Sequence, residues 1–471
     1  MLGRKATTTR LRFLSDTERK RLDLEKGSVK PAEIDRRRRD VLRFGGVLGL
    51  AALTGLAGVR TEPSVEEFGR AVRAATELKG KKAADIFKVK DTFKRFDVRK
   101  TSFARSSSDR NSIAYMALAK YTLTFEERVR RGEVGFGLED YALTNAGRTV
   151  CMYTASGFGN RDSGLYSWYP LGVAKVPSGV APLRRPPDEM SRIVKKAART
   201  LGADLVGICE LDERWVYAND ERGRPFVFED VEDPYSTETK VVIPSSFRYV
   251  VVIATKMDFD NIRYAPYGTS FVTAYKGYDE MAIVAARVAE FIRGLGYKAI
   301  PCGNDTALSI PLAIDAGLGQ YGRICRLVTP EYGPNVRLSK VLTNLPMEHD
   351  NPIDFGLTDF CNSCKKCVDA CPVQALPSGD PAWEGPTESE IKDVYKWQQF
   401  SDRCLKWWGE VGTGCAICFR ACPWTNGIAR NNETVKYLIK NFPALDGLWR
   451  PLDDFSGNGR LIDPIKYWES S

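Results

Sequence analysis

Apolar side chains recur at Met190, Ile193, Val194, Ala197 and Leu201, a three-and-four spacing that predicts a helix over Asp188–Leu201. Gly202 closes it. The run Leu205–Cys209 then predicts a short buried strand, and Tyr249–Thr255 (YVVVIAT) a second one. The strongest helical pattern is Tyr278–Leu295, where Met281, Val284, Val288, Phe291 and Leu295 form one stripe. Gly294 and Gly296 stop that helix, and Lys298–Cys302 reads as a returning strand. Leu327–Thr329 and Lys340–Thr343 add two shorter strands. Helix and strand therefore alternate from Pro186 onward, which predicts an α/β domain. Residues 60–185 lack such a period. Their aromatic, glycine-rich stretches, such as Tyr153–Tyr169, read as irregular chain able to wrap a pocket. The tail from Phe442 to Trp468 is aromatic and is expected to pack back onto the body.

A chain of 471 residues, 43% hydrophobic, has material for two or three domains. Its net charge of +9 first suggests a nucleic-acid partner, but position removes that suggestion. Residues 1–43 hold fourteen Lys/Arg and seven Asp/Glu, and 44–59 hold no charge, so everything after Val59 nets only +2. No nucleic-acid face is expected. Arg38-Arg39-Asp40-Val41-Leu42-Arg43 instead resembles a twin-arginine export signal, followed by a glycine-rich apolar segment, Phe44–Val59, too short for a confident membrane span. That route exports folded proteins with their cofactors already inserted. The expected location is the outer face of the cytoplasmic membrane, reached through the twin-arginine translocase.

Eight of the twelve cysteines change the picture. Cys361, Cys364, Cys367 and Cys371-Pro372 follow C-x2-C-x2-C-x3-C-P, the bacterial ferredoxin spacing. Cys404, Cys415, Cys418 and Cys422-Pro423 repeat the end of that pattern, with the first cysteine moved upstream. Three close thiolates hold three corners of a cubane, and the fourth cysteine of each run crosses to the other cluster. Cys361, Cys364, Cys367 and Cys422 are thereby assigned to one 4Fe-4S cluster. Cys371, Cys404, Cys415 and Cys418 are assigned to the second. Structural zinc would use paired CxxC units, which these triplets do not resemble. Cys151, Cys209, Cys302 and Cys325 read as core thiols.

Two further motifs carry less. Gly317-Leu318-Gly319-Gln320-Tyr321-Gly322 matches GxGxxG, but a dinucleotide loop needs a strand before it and a helix after it. Here an apolar run precedes and a strand is expected to follow, leaving close backbone approach to some other flat cofactor. His349, the sole histidine, lies in a polar loop and reads as a surface residue. Histidine-pair metal ligation is excluded, and a corrinoid would have to be bound without a protein histidine.

The leader, the central α/β region and the paired ferredoxin runs together resemble a respiratory reductive dehalogenase. The segments Tyr297–Ala307, Ala316–Gly322 and Phe355–Cys361 are similar to that family throughout. The resemblance implies a nitroreductase-like α/β domain holding cobalamin, joined to a two-cluster ferredoxin-like domain. It divides the chain into a signal region (1–59), an enclosing N-terminal region (60–185) and a cobalamin and substrate domain (186–351). A cluster domain (352–427) and a C-terminal tail (428–471) follow. By the same resemblance Tyr278 is the catalytic tyrosine, Arg337 its supporting arginine and Asn304 the pocket asparagine. Trp408 would be a pocket tryptophan, and Gly317, Gly319 and Gly322 would lie against the corrinoid. By residue type alone, Tyr278 reads as a core tyrosine, Arg337 as a surface residue and Asn304 as a turn residue.

The implied reaction replaces carbon–halogen by carbon–hydrogen in an organohalide, as a terminal step of organohalide respiration. It takes two electrons and one proton. Clusters pass electrons singly, cobalt stores them as Co(I), and a phenol of ordinary pKa about 10 gives the proton beside a stabilising guanidinium. The implied partners are a small membrane anchor subunit and a quinol- or hydrogenase-linked electron donor. Two other readings remain open: an epoxyqueuosine reductase-like tRNA-modifying enzyme, and an exported ferredoxin-type carrier without corrinoid.

Overall fold

The structure is a computed structural model that describes residues 75–154, 161–172, 176–430 and 432–469. The arginine-rich leader and its apolar segment lie outside the described residues. Residues Ala74–Ser471 form one compact unit. Among the described residues, no helix is long and apolar enough to cross a membrane.

Helices α1 (Ser102–Ser108), α2 (Ala117–Arg130) and α3 (Leu138–Gly147) occupy the region expected to be irregular. The expectation fails because these helices bury polar side chains, among them Ser102, Ser106, Arg128, Asp140 and Thr144. Burial of that kind erases the apolar period on which a sequence-based helix assignment rests.

The centre follows the hydrophobic pattern closely. Helix α4 is Pro187–Thr200 and strand β1 is Leu205–Glu210. A small sheet of β2 (Phe226–Glu229), β3 (Tyr235–Ser236) and β4 (Val241–Pro244) comes next, then β5 (Tyr249–Lys256). Helix α5 (Gly268–Gly294) leads to β6 (Ala299–Cys302) and α6 (Ser309–Asp315). The short strands β7 (Gln320–Tyr321) and β8 (Leu327–Val328) precede the long β9 (Val336–Thr343). Strands β1, β5, β9 and β6 pair in that order as an antiparallel sheet.

The sheet is buried on both faces, which is why its strands read as continuous apolar runs. One face packs Val206, Ile208, Val251, Ile253 and Val341 against Met190 and Val194 of α4 and Val284, Val288 and Ile292 of α5. The other packs Val250, Val252, Ala254, Ile300 and Leu342 against Leu312 of α6 and Val241 and Ile243 of β4. This is a helix–sheet–helix arrangement, as expected.

Two boundaries move. Helix α5 starts at Gly268, ten residues before the apolar stripe, because Thr269, Phe271, Val272, Thr273, Tyr275 and Gly277 are buried on several sides and show no stripe. Strand β9 starts at Val336, because Arg337 and Ser339 place polar side chains where an apolar alternation was sought.

The cysteine runs lie on α7 (Leu357–Cys364), α8 (Lys366–Ala370), α9 (Ser401–Val411) and α10 (Ile417–Ala421). The tail forms α11 (Glu433–Asn441) and α12 (Asp446–Phe455) and does fold back. Trp449 is buried against the cysteine helices, and Trp468 Nε1 donates to Asp140 Oδ1 of α3 at 3.0 Å.

Gly207 in β1 shows how tightly α6 closes on the sheet. A Cβ there would stand 2.0 Å from the Ala316 carbonyl oxygen. Gly207→Ala is expected to cost about 1–3 kcal/mol through overpacking, read as a lower melting temperature of the loaded protein. An unchanged melting temperature would contradict this packing.

Candidate active site

Tyr278 sits on α5 and Arg337 on β9, and the fold brings them together. The Arg337 guanidinium carbon lies 4.2 Å from the centre of the Tyr278 ring. Arg337 pairs in register with Thr255 of β5, so its side chain leaves the sheet on the α5 face. Gly277 makes room for it, since a Cβ at Gly277 would meet Arg337 Cγ at 2.8 Å and Met257 Cγ at 3.2 Å. Both Tyr278 and Arg337 are half-buried. Arg337 Nε, Thr255 Oγ1 and Ser339 Oγ are buried with no partner in the protein.

Asn304 lies half-buried in the loop after β6, and two buried charges hold that loop. Lys340 of β9, fully buried, donates from Nζ to the Gly303 carbonyl and to Ser309 Oγ. Asp305 accepts from the Gly303 backbone N–H at 2.7 Å and from Thr306 Oγ1 at 2.8 Å. Burial pushes the Asp305 carboxyl up and the Lys340 ammonium down, while their mutual attraction opposes both shifts. Gly303 is therefore gripped on both sides of its peptide, one residue before Asn304.

Tyr166 connects this loop to α5. It is buried with an unpartnered hydroxyl, and burial raises its pKa well above the ordinary value. Asp305, Cys302 and Tyr278 raise it further, which places it among them. The aromatic stretch Tyr153–Tyr169 was the signal for Tyr166. For Lys340 there was none, since a lysine inside a strand reads as a solvated position.

The eight cluster cysteines form two neighbourhoods. Burial raises the Cys367 thiol, and Cys422, Cys361, Cys418 and Cys364 add to the rise. Burial also raises Cys415, with Cys404, Cys418 and Cys371 adding. Cys361 and Cys418 are each pushed up to about 12, and Cys364 and Cys404 to about 11, burial being the largest cause in every case. Burial of this kind favours the protonated thiol, and a bound metal would displace the proton. No group of three or more His, Cys, Asp or Glu closes as if around a single ion among the described residues. A cubane differs from that case, because its thiolates stand around a cluster rather than one atom. Cys151, Cys209, Cys302 and Cys325 are buried in the core, as read from the sequence.

One expectation holds and two are revised. The GxGxxG loop follows helix α6 and enters strand β7, the reverse of a dinucleotide loop, as its flanking residues suggested. The glycines expected against a corrinoid answer to protein packing. Added Cβ atoms would meet Asn351 O at 2.6 Å from Gly317, Val328 O at 2.2 Å from Gly319 and Val328 Cγ2 at 2.7 Å from Gly322. Trp408 packs edge-on to Phe103 at 5.7 Å, one turn along the helix that carries Cys404, so it stands beside the second cysteine set. His349 is exposed, as expected. A surface cleft of about 560 Å³ opens near it, lined by Lys195, Arg199, Gly317 and Asp350, and it includes neither Tyr278, Asn304 nor Arg337.

A family model described as a 4Fe-4S double cluster binding domain matches residues 360–425. The tetrachloroethene reductive dehalogenase of Sulfurospirillum multivorans is 32% identical over 93% of this chain and 94% of its own length. The chain belongs to the reductive dehalogenase family. As a reductive dehalogenase it is an oxidoreductase. A solved reductive dehalogenase, whose structure is described as suggesting a mechanism for B12-dependent dehalogenation, shares the fold at a TM-score of 0.58 and 24% identity. That match covers 81% of this chain and 49% of the solved one, so this chain spans about half of it. The epoxyqueuosine reductase of Bacillus anthracis is 33% identical over 25% of this chain.

The Gly277 contact yields a test of the Tyr–Arg geometry. Gly277→Ala is expected to push Arg337 off the Tyr278 ring and to lower reductive turnover roughly tenfold or more, with iron content unchanged. Turnover equal to the parent's would show that the stacking is incidental.

Proposed function

We propose that this reductive dehalogenase replaces carbon–halogen by carbon–hydrogen in an organohalide, with Tyr278 giving the proton and Arg337 stabilising the phenolate. The observation that carries this reading is the guanidinium of Arg337 lying 4.2 Å above the Tyr278 ring. The balanced step consumes two electrons and one proton and releases halide. A phenol of ordinary pKa about 10 is a poor acid near neutrality. A cation held against it favours the ionised product and so eases the proton's departure. Asn304, on its gripped loop, would orient the substrate.

The residues fit the cofactors this reaction needs. Cys361, Cys364, Cys367 and Cys422 would hold one 4Fe-4S cluster, and Cys371, Cys404, Cys415 and Cys418 the other. The donor set is all thiol, in the two neighbourhoods that mutual proximity defines. For a corrinoid, the unpartnered Tyr166 hydroxyl, Arg337 Nε, Thr255 Oγ1 and Ser339 Oγ supply hydrogen-bonding capacity that an amide-fringed macrocycle would satisfy. No protein histidine stands ready for the metal, since His349 is exposed in a surface loop. When bound, the clusters supply single electrons and the corrinoid holds reducing equivalents beside the substrate.

The leader motif supports export by the twin-arginine translocase to the outer face of the cytoplasmic membrane, in a respiratory role. A small membrane anchor subunit and a quinol- or hydrogenase-linked donor are the partners that role needs. The name of the Sulfurospirillum relative makes tetrachloroethene the first substrate to assay.

The decisive experiment is anaerobic reconstitution with iron, sulfide and cobalamin, followed by halide release from an organohalide panel with reduced viologen. Tyr278→Phe is expected to lose about 10²-fold or more of turnover while keeping its iron and cobalt. Iron without cobalt would overturn the dehalogenase mechanism and favour an electron carrier. Cobalt without halide release from any substrate would favour the epoxyqueuosine-type chemistry.

A further inference from the structure

Arg323 follows the last glycine of the GxGxxG loop and is 2% exposed. Its guanidinium donates to four acceptors: Cys361 O at 2.9 Å, Pro377 O at 3.0 Å, Gly379 O at 2.7 Å and Asn362 Oδ1 at 3.0 Å. The Trp397 ring covers it at 4.6 Å. All four acceptors are neutral, and no carboxylate pairs with it among the described residues. A buried guanidinium without a counter-charge is strongly destabilising. Two other cations beside this cysteine run are neutralised. Lys366 pairs with Asp453 and Asp454, and Arg450 with Asp369 and Asp454. Arg323 is thus a buried cation at this cysteine set with no carboxylate partner among the described residues.

We propose that Arg323 is the fixed counter-charge of the cluster held by Cys361, Cys364, Cys367 and Cys422, and that it raises that cluster's reduction potential above the other's. The inference rests on the two-cluster reading above. A four-iron cluster with four thiolate ligands is anionic and gains another negative charge on reduction. A buried positive charge favours the reduced state. The cation that acts on Cys404 and Cys418 differs in its exposure. Arg326 is the cation that bears on Cys404 and Cys418, and it is solvent-exposed, so water and salt screen it. The asymmetry gives an order of filling: the first electron rests beside Arg323.

The test is an EPR-monitored redox titration of the reconstituted full chain, after its iron has been counted. The parent should hold about eight irons and show two separable one-electron steps. Cys364→Ser, which perturbs the signal of one cluster, assigns the steps. Arg323→Gln should lower the reduced-to-oxidised ratio of that cluster about tenfold at fixed potential, a downward shift of about 59 mV for one electron. The other cluster should stay in place. Arg323→Lys, which loses the forked hydrogen bonds but keeps the charge, should recover most of the shift. A merely structural arginine would make the Lys and Gln variants alike. Asn362→Asp, which keeps the contact and pairs the guanidinium with a carboxylate, should move the same cluster in the same direction. It decides the matter if Arg323→Gln fails to load iron. Loaded variants with unmoved potentials, or equal shifts in both clusters, would overturn the role of Arg323. A parent holding only one cluster would overturn the two-cluster reading itself.

Discussion

The register of strand β9 against its neighbours is the constraint on which the site depends. Arg337 stands opposite Thr255 and Lys340 opposite Cys302. Three residues apart on a strand, they leave the sheet on opposite faces. Arg337 crosses α5 at Gly277 and meets Tyr278. Lys340 enters the other layer and holds the loop that presents Asn304. A slip of one residue would exchange the two faces. It would bury a guanidinium among the aliphatic residues under α6 and withdraw the lysine from Gly303. The apolar core on each side of the sheet therefore secures the position of the polar groups as well as the stability of the fold.

Charge burial is the second theme. The interior holds ion pairs of Lys366 with Asp453, Arg105 with Asp402 and Arg293 with Glu290, as burial of charge demands. Lys340 lies near enough to Asp305 to feel its charge and donates to neutral acceptors. Arg323 has no carboxylate partner among the described residues, and it lies against the cysteine run. The same physics that pairs the others makes an anionic cluster its natural partner. The double cluster domain and the dehalogenase body are joined there, because Arg323 belongs to the turn between β7 and β8 and all its acceptors belong to the cysteine module.

The Tyr–Arg pair takes the place that histidine fills in many acid–base sites. A lone exposed histidine leaves the chain no imidazole to use near Tyr278. In the proposed reaction a phenol with a guanidinium against its ring would supply both the proton and the charge that compensates its loss. Half-burial serves the pair: enough water is excluded to strengthen the electrostatics, yet the ring remains open to a substrate.

The sequence alone determined what is local or strictly spaced. The two cysteine runs specified the cluster module, because ligand spacing is a one-dimensional property. Helix α4, strands β1, β5 and β6 and the later half of α5 were legible because one-sided or continuous burial leaves a period in the chain. The resemblance carried Tyr278 and Arg337 to a shared role, and the fold brings them together. Tertiary structure alone decided the rest. Helices α1 to α3 and the start of α5 bury residues on several sides, so no period marks them. Lys340, Tyr166 and Arg323 acquire their roles only from what lies opposite them, and each reads as an ordinary residue in the chain. The glycines of the GxGxxG loop were a spacing without a meaning until Val328 and Asn351 came up against them. Spacing along a chain encodes ligands and faces, whereas contacts between distant segments exist only after the layers have packed.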